Sequence, residues 1–378
     1  MSQKQIIYLD NNATTRVDKR VLNAMLPYFS DFYANASSSH IAGLTVNEAV
    51  ENAAWQTAKL IGAQEDEIIF TSGATESINL AIKGLVNQDR KHIVTVSTEH
   101  KAVLKTCQFM ESIGFEVIYL PTASNGILNL ALLEQAITGK TLLVCVMMTN
   151  NETGVQQNIK AISEIAHAKN ALFMCDATQA VGKIPVDVKL LGIDLLPFSA
   201  HKFYGPKGIG ALYISAKAKI KLTPQIHGGD QQRKLRSGTL NVPGIIGLGK
   251  ASEIAINEMK SDEERILELR NQLEKGLLHF EGSFVNGDRA ERIYNTTNIC
   301  FPSVNSETLI LALQHIAVSN GSSCSAVTSE PSHVLKAMGL SDENALSSIR
   351  FSLGKFTTSE EIEETIERVL TLVRQLSQ

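Results

Sequence analysis

Ile68-Ile69-Phe70-Thr71-Ser72-Gly73-Ala74-Thr75-Glu76 decides the fold class. An unbroken apolar run of strand length meets a small-residue turn, and the turn opens onto a helical pattern over Glu76–Leu85. A strand that is apolar throughout is one covered on both faces. The same order recurs down the chain. His92–Ser97, Glu116–Leu120, Leu142–Thr149, Leu172–Asp176, Leu195–Ser199 and Ala211–Ile214 read as strands. Lys101–Ser112 and Ala161–Lys169 read as helices between them. Strand–helix alternation of this kind predicts a mainly parallel seven-stranded α/β sheet with helices on both sides.

Beyond residue 250 the pattern changes. Ala251–Phe280 is a long charged amphipathic helix. Strand-like Asn298–Phe301, a helix over Ser306–Gln314, a polar Gly/Ser stretch near 320, strand-like Ile349–Leu353 and a helix over Ser359–Leu376 follow. This reads as a smaller α+β domain, with the boundary at the long helix.

Composition limits the function. The chain has 378 residues, with 35 Lys and Arg against 39 Asp and Glu, and a net charge of −4. Apolar residues make up 44% and charged residues 20%, a balance that argues against a disordered chain. A slightly acidic chain is a poor candidate for a dedicated nucleic-acid binder, because phosphate contacts want a basic face. The longest apolar run, Leu142–Met148, is far short of the roughly 20 residues of a membrane span. Met1–Asp10 has no basic stretch followed by an apolar one, so a cytoplasmic location is expected. The five cysteines, at 107, 145, 175, 300 and 324, form no Cys-x-x-Cys pair, which argues against a disulfide framework and a zinc site.

Three strand ends carry chemistry. Thr71–Glu76 exposes backbone N–H groups at a helix N-terminus, which suits a phosphate, although a plain Ser/Thr cap leaves the same trace. Asp176-Ala177-Thr178-Gln179 puts a carboxylate at the carboxyl end of a strand, where ligands of parallel sheets sit. That carboxylate could pair with a protonated ring nitrogen or cap the next helix. Ser199-Ala200-His201-Lys202, followed by Gly205-Pro206-Lys207-Gly208, puts an amine at the same edge, with Ser199 and His201 able to hold a phosphate beside it. Desolvation there would lower the lysine pKa and make it a Schiff-base nucleophile. A phosphate cradle, an acid for a ring nitrogen and a Schiff-base lysine are what pyridoxal 5′-phosphate requires.

The sequence also resembles the cysteine desulfurases, the NifS/IscS-type members of the class V aminotransferase superfamily. The resemblance rests on Tyr8–Thr15 (YLDNNATT), Thr71–Ser77, Thr98-Glu99-His100, Asn150–Gly154 (NNETG), Asp176–Gln179, Ser199–Lys202, Arg236–Thr239 and Ser322-Ser323-Cys324. It implies a fold type I pyridoxal-phosphate enzyme acting as a homodimer. Residues 16–255 would form the large cofactor-binding domain, and 1–15 with 256–378 the small domain carrying the cysteine loop. Lys202 would hold the cofactor, Asp176 its ring nitrogen and Gln179 its phenolic oxygen. Asn151 would contact cofactor or substrate, and His100 would stack on the ring and move protons. Ala74, Thr75, Ser199 and His201 would bind the phosphate, with Thr239 of the neighbouring subunit. Arg350 would grip the substrate carboxylate with its planar fork of donors.

Cys324 decides the implied reaction. Cys145 and Cys175 lie in apolar strands, Cys107 in a helix and Cys300 in a short strand, so these four read as packing residues. Cys324 lies in Asn320-Gly321-Ser322-Ser323-Cys324-Ser325, a polar stretch unsuited to a core, where an accessible thiol is expected. L-cysteine would become L-alanine, and its sulfur a persulfide on Cys324. A protein acceptor would then carry the sulfur towards iron–sulfur cluster assembly or thiolation. A selenocysteine lyase or another class V aminotransferase would keep the cofactor but would not need this thiol. A sulfur-relay protein with a degenerate site is opposed by the intact Lys202, Asp176 and His100. The family pattern is broken at Ala36, where Pro is usual, and in the loop itself. IscS-type members also carry a tail that docks a scaffold protein, and this sequence ends at Gln378.

Overall fold

A computed structural model describes residues 6–321 and 330–377. The chain starts with strand β1 (Ile7–Tyr8) and helices α1 (Lys19–Met25), α2 (Pro27–Ser30) and α3 (Ile41–Leu60). Then come β2 (Ile68–Thr71), α4 (Ala74–Lys83), β3 (His92–Val96), α5 (Lys101–Ser112), β4 (Glu116–Leu120), α6 (Leu130–Ala136) and β5 (Thr141–Cys145). α7 (Ile159–Ala168), β6 (Leu172–Met174), β7 (Leu195–Ser199) and β8 (Gly210–Ile214) complete the sheet region. The seven strands lie in the order β2-β8-β7-β6-β5-β3-β4. All run parallel except β8, which is antiparallel to both neighbours. The predicted mainly parallel seven-stranded sheet is therefore the one observed. Every residue of β2, β3, β5, β7 and β8 is buried, in keeping with their mainly apolar sequence.

The remainder comprises α8 (Val242–Leu277), β9 (Phe284–Val285), β10 (Thr296–Cys300), α9 (Ser306–Leu313), β11 (Ile316–Ala317), α10 (His333–Ala337), α11 (Asp342–Leu346), β12 (Ser348–Ser352) and α12 (Ser359–Leu376). β12-β10-β9 form an antiparallel sheet, and β1 pairs in parallel with β11. Ile7 and Leu9 join the apolar cluster of Ile299, Phe351 and Leu372, so the N-terminal strand is packed with the C-terminal third. α8 serves two clusters: Ile245, Leu248 and Ala255 pack with the large sheet's helices, while Ile266, Leu273 and Leu277 pack with β10 and α12.

α8 begins nine residues before the expected Ala251. Its first turns, Val242-Pro-Gly-Ile-Ile-Gly-Leu-Gly249, carry poor helix formers. Tertiary packing overrides propensity here. Asn241 caps Gly244 N–H at 3.2 Å, and Pro243 sits where its missing donor costs nothing. A Cβ at Gly249 would lie 2.7 Å from the Cα of Ala53, so glycine lets α8 approach α3. β5 and β6 also end sooner than expected, at Cys145 and Met174. The chain beyond them bends to wall a cavity.

Candidate active site

The carboxyl ends of β2, β3, β5, β6 and β7 open on one cavity of about 710 Å³. Each strand delivers its functional groups at its end or within the next six residues. Ala74 and Thr75 follow β2, His100 follows β3, Asn151 follows β5, Asp176 and Gln179 follow β6, Ser199 ends β7, and His201 and Lys202 lie in the turn after it. All of them line the cavity, and so does Arg350 of β12, which reaches it from the smaller sheet. Among the described residues, Thr239 is the one expected site residue that the cavity lacks; it is exposed in the loop before α8. Cys324 lies outside the described residues.

Lys202 Nζ donates to the backbone carbonyls of Asn12 and Ala13, at 2.6 and 2.8 Å. Burial, aided by the Arg350 guanidinium, pulls its pKa down to about 8, against the opposing pull of Asp10 and Asp176. Gln179 is oriented from behind by Lys183, whose buried amine donates to Gln179 Oε1 at 2.7 Å. Gln179 Nε2 in turn donates to the Asn12 carbonyl at 2.9 Å. Asp176 Oδ1 accepts the Thr178 N–H at 3.0 Å, which fixes the carboxylate at the end of β6.

The helix end beside them is built for an anion. Ala74 N–H donates to Ser199 Oγ at 2.7 Å, leaving the Ser199 hydroxyl hydrogen to point elsewhere. Helix geometry leaves the N–H groups of Thr75 and Glu76 without intrahelical acceptors. His201 touches Thr14 Oγ1 at 3.1 Å, and burial pushes its pKa down to about 4, so it offers a neutral N–H and not a cation. His100 caps α5 by accepting the Ala102 N–H on Nδ1 at 3.1 Å, which assigns its proton to Nε2. Burial and Lys202 lower its pKa, and Asp176 works in the opposite direction. Arg350 is held by Asp10 Oδ1 at 2.6 Å and by the Asn151 carbonyl at 3.0 Å, while its Nε is buried without a partner among the described residues.

The residues present fit pyridoxal phosphate. Thr149 Oγ1, Asn151 Oδ1 and Thr178 Oγ1 are buried on cavity-lining residues, with no hydrogen-bond partner among the described residues. Such atoms are costly unless a polar occupant satisfies them. An amine, a carboxylate and a helix N-terminus surround the same space. Sequence reasoning gave no role to Asp10, Asn12, Glu152 or His333, which also line it. Asn12 works partly through its carbonyl, which no side-chain pattern can reveal, whereas the acidic Glu152 inside NNETG was a readable signal.

Comparison with known proteins agrees with this geometry. The aminotransferase class-V family model matches residues 7–365. A cysteine desulfurase IscS of Shewanella sp. (strain W3-18-1) is 50% identical over 376 residues, covering 98% of this chain and 93% of its own. An Escherichia coli cysteine desulfurase IscS is 51% identical over 96% of this chain and 91% of its own. A solved NifS-like protein superposes with a TM-score of 0.92 at 38% identity, covering 98% of this chain and 100% of its own. SspA, solved in complex with cysteine, gives 0.82 at 38% identity over 93% of this chain and 100% of its own. A cavity of this make-up, on a chain matched nearly end to end, places the protein in the aminotransferase class-V family.

Proposed function

We propose that this chain is a pyridoxal-phosphate-dependent cysteine desulfurase, in which L-cysteine and the Cys324 thiol become L-alanine and a Cys324 persulfide. The observation that carries the reading is the convergence of Lys202, Asp176, His100, Arg350 and the α4 N-terminus on one cavity. Lys202 is the residue that would hold the cofactor, with Asp176 at its ring nitrogen and Gln179 at its phenolic oxygen. Thr75, Ser199 and His201 would hold its phosphate, and Thr239 of a neighbouring subunit would complete that site. Pyridoxal phosphate, when bound, supplies an electron sink for negative charge at the substrate Cα.

The protein's own groups do the rest. Arg350, already oriented by Asp10, offers donors to the substrate carboxylate beside the Asn151 amide. Lys202 Nζ, with its pKa near 8, takes and returns the Cα proton without a large energetic penalty. His100, with its proton on Nε2, would donate within the same cavity. The Cys324 thiolate forms an S–S bond to the substrate sulfur as the C–S bond breaks. The electron pair left on carbon takes up a proton to give the alanine methyl group.

A homodimer is part of the reading. Phe29, Tyr33, Ile41 and Leu44, on α2, α3 and the loop between them, are 63%, 80%, 79% and 53% exposed, an apolar face suited to a second copy. A protein sulfur acceptor and a cytoplasmic setting also belong to it; the four cysteines other than Cys324 are free and buried, as a reducing compartment allows. Among the described residues no helix is long and apolar enough to cross a membrane. The proposed division at residue 255 rests on the change of partner cluster along α8. The test is alanine release from L-cysteine by the loaded protein, beside Cys324→Ser. Parent activity with none in the variant is expected, and full activity in the variant overturns sulfur transfer to Cys324.

A further inference from the structure

Glu152 lines the cavity but has no part in the chemistry above. It is 2% exposed. Its main chain is pinned on both sides: the N–H donates to Asn150 Oδ1 at 2.9 Å, and the carbonyl accepts from Asn298 Nδ2 at 3.3 Å. The side chain then meets two residues far away in sequence. Ser332, itself buried, donates its hydroxyl to Glu152 Oε2. Ser332 also caps α10, accepting the Leu335 N–H at 3.2 Å, so the carboxyl group helps fix the start of that helix. Gly321 stands close to the same oxygen. A Cβ at Gly321 would stand 2.4 Å from Glu152 Oε2, and its φ of +78° also favours glycine.

In the sequence, Cys324 comes three residues after Gly321 and eight before Ser332. One buried carboxyl oxygen therefore touches the chain on both sides of the reactive thiol. A buried carboxylate is expensive unless paired. Burial pushes Glu152 up to about 7, against the Ser332 hydrogen bond and the more distant Arg350 and Lys101. The neutral form is thus well populated near neutral pH, and what the site uses is an acceptor oxygen in a fixed place.

We propose that Glu152 is a positioning residue for sulfur transfer: one of its oxygens accepts the Ser332 hydroxyl and packs beside Gly321, fixing the two described residues that flank Cys324 in the sequence. The inference rests on the reading of Cys324 as the sulfur acceptor. A misplaced nucleophile loses rate in its own step while other steps continue.

The experiment mixes the loaded protein with L-cysteine in a single turnover. The cofactor's visible absorbance reports cysteine binding, and peptide mass mapping reports persulfide on Cys324. Glu152→Ala is expected to leave the absorbance change within about twofold of the parent and slow persulfide formation by about tenfold or more. Glu152→Gln keeps the acceptor oxygen and should stay within about threefold of the parent. Ser332→Ala should slow persulfide formation in the same step, and it keeps the proposal testable should Glu152→Ala fold poorly. Parent-like persulfide formation in both Glu152→Ala and Ser332→Ala overturns the proposal. So does equal slowing of both readouts, or Glu152→Gln as slow as Glu152→Ala, which would mean that the proton is used. A parent protein that forms no persulfide fails the functional reading instead.

Discussion

In cofactor-free protein the amine of Lys202 is expected to react with aldehydes and acylating reagents near neutral pH, which a surface lysine does not do efficiently. Its pKa falls from the ordinary 10.5 to about 8. At pH 7.5 roughly a quarter of it would be neutral, against roughly one part in a thousand of an unperturbed lysine. The gain is about 250-fold in reactive amine, or roughly 3 kcal/mol in favour of the neutral form. Burial is the larger cause and the Arg350 guanidinium the next, with Asp10 and Asp176 opposing. Substitution separates these contributions. Arg350→Gln removes a positive neighbour and should move the midpoint up by about one pH unit. Asp176→Asn removes a negative neighbour and should move it down. The assay is competitive labelling of the cofactor-stripped protein from pH 6 to 10, with peptide mass mapping of each lysine. A Lys202 midpoint above about 9.5, or one that Arg350→Gln lowers, refutes the electrostatic account.

Three further outcomes are expected. Gly182→Ala should lower stability by about 3 kcal/mol, read as a fall in Tm, because its Cβ would lie 2.5 Å from Phe203 Cγ at a φ of +76°. Phe203 follows Lys202 directly, so cofactor occupancy should drop too. Glu258, held by Arg20 and Lys355, has its pKa pulled to about 2, so its contribution is present above the ordinary 4.5 and is lost as pH falls towards 2. Glu258→Gln should therefore melt below the parent at pH 6, and the two curves should converge near pH 2. Tyr33→Asp and Ile41→Asp, placed on the exposed apolar face, should shift the mass by light scattering from dimer to monomer; an unchanged mass places the interface elsewhere.

What was legible in the sequence was local. β2, β3, β7 and β8 are mostly apolar and buried at every position, as strands covered on both faces are. Asp176 and Lys202 stood out because a charged residue closing an apolar strand of a parallel sheet falls at the ligand edge. α3 went unremarked, as did the first turns of α8: three glycines and a proline argue against a helix until α3, Met25 and Pro206 are seen pressing on them.

The sequence by itself determined the strand–turn–helix order, the side of the sheet on which ligands sit, and the kinds of group available there. The tertiary structure decided how those groups behave. Lys202 finds its acceptors in the carbonyls of Asn12 and Ala13, nearly 190 residues upstream. Arg350 is held by Asp10, 340 residues away, and Glu152 meets Ser332 across 180. Thr239 stands outside the cavity of its own chain. Propensity and pattern act over a few neighbouring residues, whereas burial and Coulomb fields sum over whatever the fold brings near.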